Sequence, residues 1–397
     1  MVDEQHFAAQ ILHGAVNQVA GEGPVFITHK TSQFRQTRFG VLESLCLTLQ
    51  NSQVVGLARC GLSAGRNHQT PTKADAEAER GQAAYGLQHD QKIISATLTR
   101  GFVAGEFVFK SVVVSEATVI LQMICPDRSG LVSDLAGWVA ANGGNIRHAD
   151  HHTDVGAGLF LSRIEWTLEG FGIPRQALPE AAFALAERLN GQAQLHFSDD
   201  VPRVAILASK QSHCLFDLLW RVQSGELAMQ VPLVIANHPD LEELCEGFGV
   251  PFFCVPITPE SKAEAELSIL RLLEEHGIEL VVLAKYMQVL NPEFLERFSD
   301  VINIHHSFLP AFKGAQPYHR AWERGVKLIG ATAHYVTEDL DDGPIIEQTT
   351  VHVSHRDEVS DLIRKGRDTE RLALARALRL HLRRQVMVYR GRTAVFS

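Results

Sequence analysis

VINIHHSFLPAF, residues 301–312, is the stretch that decides the fold. Val301, Ile302 and Ile304 read as a strand buried on both faces, as strands of a parallel sheet are, and Ser307 to Pro310 read as the loop that leaves it. In an open α/β sheet, ligands sit beyond the carboxyl ends of the strands. Asn303 and His305, two residues apart, share one face at such an end. An amide donor beside an imidazole is a pair that stabilises an oxyanion and moves a proton.

Working outward, the chain from residue 203 alternates short apolar runs with amphipathic segments. Residues 203–208, 231–236, 252–257 and 280–284 read as strands, and 214–222, 241–248, 260–276 and 292–298 as the helices between them. Beyond the opening stretch come strands at 331–336 and 345–353, a long helix at 358–384 and a last strand at 386–389. This alternation predicts a Rossmann-like, doubly wound, mostly parallel sheet over residues 202–397.

SDDVP, residues 198–202, is a polar linker, and before it the pattern differs. An apolar run at 118–124, a helix at 131–141 with Ser129 placed to cap it and Gly143 and Gly144 to end it, strands at 146–153 and 159–168, a helix at 174–189 and a strand at 194–197 give the order βαββαβ. That is a ferredoxin-like plait over residues 117–198. Residues 1–115 are an extension of unknown structure in which no site is recognisable. Residues 67–91 are polar and aperiodic, which favours loop or disorder, and GLSAGR at 61–66 lacks the Gly-Lys-Ser/Thr ending of a phosphate-binding loop.

The 397 residues are 45% hydrophobic and 21% charged, a globular composition, with a net charge of −9 that argues against a nucleic-acid partner. Six cysteines without CxxC spacing point to a reduced, cytoplasmic setting in which each is a small buried hydrophobe. No apolar run reaches the ~18 residues of a membrane span. His148, His151 and His152 invite a metal reading, but no carboxylate or cysteine completes a ligand set of recognisable spacing, so an edge-strand histidine cluster is expected and no metal.

Polar residues gather at the predicted strand ends: Ser209 and Lys210, Lys285 and Tyr286, Asn303 and His305. The loop TEDLDDGPII, residues 337–346, holds four carboxylates, any of which could turn toward the Asn/His pair; Glu338, Asp339 and Asp342 read better as a solvated turn. A carboxylate beside His305 would orient the ring and favour its protonated form.

Two resemblances sharpen this. DRSGLVSDLAGWVAANGGNI, residues 127–146, resembles the ACT domains, small modules that bind amino acids. The resemblance implies a regulatory module with Asp127, Gly130, Leu131, Gly144 and Asn145 on its effector loops, while a plait that merely dimerises remains open. LAKYMQVL (283–290), NIHHSFLPAFKGAQPYHRA (303–321), GATAHYVTEDLDDGPIIEQ (330–348) and VYRGRTAVF (388–396) resemble the folate-dependent formyltransferase family, and residues 118–397 together look like its formyltetrahydrofolate deformylase branch.

Carried over by position, that likeness implies Asn303, His305 and Asp341 as the catalytic triad. Lys285, Met287, Gln288, Val289 and Leu290 would form the pterin-binding edge, with Ser307 and His334 lining the pocket. The implied reaction is hydrolysis of 10-formyltetrahydrofolate to tetrahydrofolate and formate, which supplies formate for purine biosynthesis and balances the one-carbon folate pools. The folate is substrate, and no cofactor is needed. Relatives that formylate a ribonucleotide amine carry a glycine-rich loop after the first strand, whereas ASKQSHCLFD, residues 208–217, has no glycine, which favours water as acceptor. A formyltransferase to a small amine and an amino-acid sensor with an idle catalytic domain are the alternatives. The resemblance further implies methionine and glycine as effectors and a homo-oligomer, without nucleic acid or membrane.

Overall fold

The computed structural model describes residues 116–310 and 317–396, together with the backbone of four short strands nearer the N-terminus. The expectations for residues 61–66 and 67–91, and for most of the 1–115 extension, lie outside the described residues. In that N-terminal unit β1 (Cys46–Gln50) pairs antiparallel with β2 (Ile93–Thr97), and β3 (Arg100–Val103) with β4 (Glu106–Phe109).

The plait consists of β5 (Thr118–Pro126), α1 (Leu131–Ala141), β6 (Ile146–Asp154), β7 (Leu159–Thr167), α2 (Leu178–Arg188) and β8 (Gln192–Phe197). Its antiparallel sheet runs β6-β7-β5-β8. Alternate residues of β5, namely Val119, Leu121, Met123 and Cys125, pack on Leu131, Leu135 and Val139 of α1 and on Leu178, Ala182 and Leu185 of α2. Ser129 does not cap α1. The N-cap is Gly130 in the left-handed region at φ 90, with no side-chain capping bond.

The second sheet has seven strands in the order β11-β10-β9-β12-β13-β14-β15. These are β9 (Arg203–Ala208), β10 (Gln230–Ala236), β11 (Phe252–Cys254), β12 (Leu280–Ala284), β13 (Val301–His305), β14 (Leu328–Tyr335) and β15 (Ile345–His352). All pairings are parallel except those that β14 makes, so the sheet is mostly parallel as expected. Along β9, Val204, Ile206 and Ala208 enter one core while Ala205 and Leu207 enter the other, the period-two split of a strand covered on both faces. The first core is closed by α3 (His213–Gln223), α4 (Glu242–Phe248) and α8 (Val359–Leu382), the second by α5 (Lys262–Glu275) and α6 (Pro292–Arg297). The remaining helix, α7 (Pro317–Arg324), follows β13. Cys125, Cys214 and Cys245 are buried small hydrophobes; Cys254, on an edge strand, is exposed instead.

The strand expected at 386–389 exists but does not join the large sheet. As β16 (Val386–Tyr389) it forms a hairpin with β17 (Arg392–Val395), and Met387, Tyr389 and Phe396 pack on Leu161 of the plait. Beside them Gln122 Nε2 donates to Arg384 O at 3.1 Å and Val386 O at 3.0 Å, and Arg163 donates to Arg384 O at 2.9 Å and Arg383 O at 3.2 Å. The outer face of the plait sheet thus satisfies carbonyls at the carboxyl end of α8.

Candidate functional site

β13 and β14 pair antiparallel, which sets Asn303 directly opposite His334 and His305 opposite Thr332. The loop after β14 then folds back, with Tyr335 N donating to Pro344 O at 3.0 Å. Gly343 makes this return possible, because a Cβ there would stand 1.8 Å from Tyr335 O. Asp341, in the left-handed region at φ 55, is carried onto His305 with 3.1 Å between Oδ1 and Nδ1. Of the four carboxylates in the loop only Asp341 is drawn in; Glu338, Asp339 and Asp342 are exposed.

Two imidazoles have their tautomers set by their partners. A carboxylate that is ionised only accepts, so Nδ1 of His305 carries its proton toward Asp341 and Nε2 holds the lone pair. That Nε2 is buried and has no hydrogen-bond partner among the described residues. His334, 2% exposed, donates from Nδ1 to Tyr335 O at 2.8 Å, which leaves its Nε2 to accept from Asn303 Nδ2 at 3.2 Å. Asn303 is thereby held with its amide nitrogen inward, and its second N–H is left for a ligand oxygen.

The charges agree with these roles. Burial would raise the Asp341 carboxyl, but the hydrogen bond and charge of His305, with His334 and His306 nearby, hold it below the usual carboxylate value. Burial depresses His334, against the opposing pull of the Tyr335 carbonyl and Asp341, and so favours the neutral acceptor form.

The segment after β12 leaves the carboxyl end of the strand that pairs with β13. Met287 N donates to Ser209 Oγ at 3.0 Å and Asn291 N to the buried Glu266 carboxylate at 3.2 Å, so residues 287–290 are pinned at both ends. Met287 and Val289 are exposed, 63% and 52%, an apolar ledge at the carboxyl edge of the sheet, while Gln288 is half-buried and Leu290 lies in the core. Lys285, left-handed at φ 62, places Nζ 3.5 Å from Glu370 Oε1. Ser307 is buried, its carbonyl accepting from Thr332 Oγ1 at 2.8 Å.

Thr332 and Gln348 were not evident from the sequence. Thr332 Oγ1 also accepts from Leu309 N and from Gln348 Nε2, both at 3.0 Å, and so ties down the loop that leaves β13. The signal was present only as a polar residue inside an apolar strand. The effector residues inferred for the plait are spread over its loops: Asp127, Gly130 and Asn145 are exposed, Gly144 approaches Val139 and Phe171 too closely for a side chain, and Leu131 is buried in the core. On the exposed strand β6, His151 bonds Ser162 Oγ at 3.0 Å and stacks on Phe160.

Comparison with known proteins identifies the family. The formyl transferase family pattern matches residues 202–378. A Synechocystis sp. protein named formyltetrahydrofolate deformylase is 57% identical over 280 residues, covering 70% of this chain and 99% of that protein. This chain belongs to the formyltetrahydrofolate deformylase family. A Bacillus subtilis member of the family is 44% identical over 279 residues, covering 70% of this chain and 93% of its own. The crystal structure of the Pseudomonas syringae pv. tomato deformylase superposes with a TM-score of 0.70 at 44% identity, covering 72% of this chain and 96% of that one.

Proposed function

We infer that this deformylase-family chain is a hydrolase that converts 10-formyltetrahydrofolate to tetrahydrofolate and formate, with Asn303, His305 and Asp341 as its catalytic residues. The observation that carries the assignment of roles is the buried Nε2 of His305, without a hydrogen-bond partner among the described residues and backed by Asp341 at 3.1 Å. A water held there gives its proton to Nε2 and attacks the formyl carbon. Asp341 stabilises the imidazolium that forms, and the free N–H of Asn303 donates to the developing oxyanion, an interaction worth about 3 kcal/mol. The imidazolium then returns the proton to N10 as the C–N10 bond breaks, so that base and acid are one group used twice. The triad supplies the base, acid and oxyanion donor, and the folate enters as substrate.

The ledge of Met287 and Val289, with the backbone of residues 287–290, is our assignment for the flat ring of the folate, Ser307 and His334 completing the pocket. Residues 117–198 are read as a regulatory domain and 202–397 as the catalytic one. The resemblance of residues 127–146 to ACT domains is what suggests amino-acid effectors such as methionine and glycine, and the open edge strand β6 supports self-association. Among the described residues no helix is long and apolar enough to cross a membrane; the cytoplasmic placement rests on cysteine usage.

The test is formate release from 10-formyltetrahydrofolate without an added acceptor. The wild type is expected to yield formate and tetrahydrofolate in equal amounts, and Asn303→Ala to turn over about 10²-fold more slowly. Folate binding without formate release would overturn the assignment.

A further inference from the structure

The order of strands reverses between β9 and β12: the chain runs outward from β9 through β10 to β11, then returns to β12 on the other side. In a doubly wound sheet this reversal opens a crevice at the carboxyl ends of the two strands, where ligands settle. The registers Ala236↔Ala208, Ala208↔Ala284 and Leu283↔Asn303, continued by one or two residues, set Asn237, Ser209, Lys285 and His305 in one row across four strands. The row leads from the crevice straight to the catalytic imidazole.

Lys285, a member of this row, belongs to a buried polar cluster. Lys285 sends its ammonium to Glu370 of α8 at 3.5 Å, and Glu370 also accepts from Tyr318 Oη at 2.7 Å and pairs with His213 Nε2 at 2.7 Å. Glu370 is 1% exposed and Lys285 8%. Burial would raise the Glu370 carboxyl, but His213, Lys285 and Tyr318 hold it down at about 2, so the carboxylate stays charged and paired. The cluster adjoins the triad through His306, whose ring stacks on His305 at 4.8 Å and lies 6.5 Å from that of Tyr318.

A metal is the other reading of this cluster, since His213 Nε2, Cys214 Sγ and a Glu370 oxygen lie within 4.8 Å of one another. The Lys285 ammonium, however, already neutralises the carboxylate, and burial with the Glu370 charge pushes the Cys214 thiol away from the thiolate a metal takes.

We propose that Lys285, Glu370, His213 and Tyr318 are specificity-determining residues, whose closed cluster occupies the place an amine acceptor would need beside His305 and so reserves the formyl group for water. An acceptor would have to take the volume that these packed side chains hold, whereas water needs no such room. The proposal rests on the hydrolysis reading above.

The experiment follows where the formyl group goes. The full chain is given 10-formyltetrahydrofolate with excess hydroxylamine, and formate and formohydroxamate are both quantified after subtracting enzyme-free transfer. In transfer the hydroxylamine nitrogen bonds to the formyl carbon, the C–N10 bond breaks with its electron pair on N10, and the proton lost by the attacking nitrogen ends on N10. Wild type is expected to give formate with hydroxamate at background. Lys285→Gly with Glu370→Gln empties the crevice at a left-handed position that glycine accepts and keeps an uncharged partner for Tyr318. It should raise the hydroxamate-to-formate ratio about tenfold or more, the scale on which missing methylenes change selectivity. Lys285→Met with Glu370→Gln keeps the volume and should leave the ratio at the wild-type value. His213→Ala, which leaves the Lys285–Glu370 pair in place, should raise the ratio too and serves if the glycine variant does not fold. An unmoved ratio in a folded, formate-releasing crevice variant, or abundant hydroxamate from wild type, overturns the proposal. Wild type that releases no formate overturns the hydrolysis reading instead.

Discussion

Asp341→Asn isolates one charge. The left-handed backbone at this position, φ 55, accepts asparagine as readily as aspartate, so the return of the loop is preserved where alanine would strain it. In the ground state the variant exchanges one acceptor for another on His305 Nδ1. In the transition state the ring is an imidazolium 3.1 Å from where the carboxylate was, and two unit charges at that distance attract by about 5 kcal/mol at an effective dielectric of about 20. At about 1.4 kcal/mol per decade that is a fall in kcat of about 10³- to 10⁴-fold. Because the interaction is made in the transition state, KM should move by only about twofold. Formate release at saturating substrate, followed by coupled oxidation of formate, reads kcat, and a parallel circular-dichroism melt checks the fold. A folded variant that keeps kcat within about tenfold of wild type would refute the pairing of Asp341 with His305 as the source of the effect.

Three further outcomes are expected. Met287→Ser and Val289→Ser shorten the apolar ledge and should raise KM for the folate about tenfold each while kcat holds, read from steady-state kinetics; a fall in kcat at constant KM would place the folate ring elsewhere. Arg163→Met removes the buried donor to the carbonyls of Arg383 and Arg384, leaves Glu165 with Thr118 but without its 2.7 Å cationic partner, and should lower the unfolding free energy in urea by about 2–4 kcal/mol. His196 and His381 are each depressed to about 4, by burial first and then by the charge of Arg384, from an unfolded value of 6.5. Between those values the unfolded chain binds more protons, so stability falls as pH drops from about 6.5 to about 4, and His381→Gln should recover on the order of 1 kcal/mol at the acid end in urea titrations compared at both pH values.

The strands of the large sheet were legible because each is a short, nearly unbroken apolar run between helices of ordinary length, and residues 280–284, 301–305 and 386–389 fall where the sequence places them. Other boundaries moved by up to four residues, as at the start of α2, because helix ends are settled by turns rather than by apolar spacing. The site was legible where it lies on strands: Asn303 and His305 share a face by the period of two, and that could be read without coordinates. Asp341 was indicated by resemblance alone. Four acidic residues in one turn look alike in sequence, and only the return of the loop over Gly343 makes one of them different.

Glu370 shows the limit most plainly. Within RKGRDTERL, residues 364–372, it reads as part of a solvated charged face, yet it is 1% exposed, because α8 docks against the sheet beside Lys285 and His213. The sequence by itself determined which segments become strands and helices, their alternation, and the Asn-x-His pair at a strand end, since these depend on periodicities within about ten residues. Tertiary structure alone decided which carboxylate meets His305, where the C-terminal hairpin packs, and which partners bury Glu370. Each of those is a contact between residues distant in the chain, and its energy depends on desolvation and distance, quantities that exist only once the chain has folded.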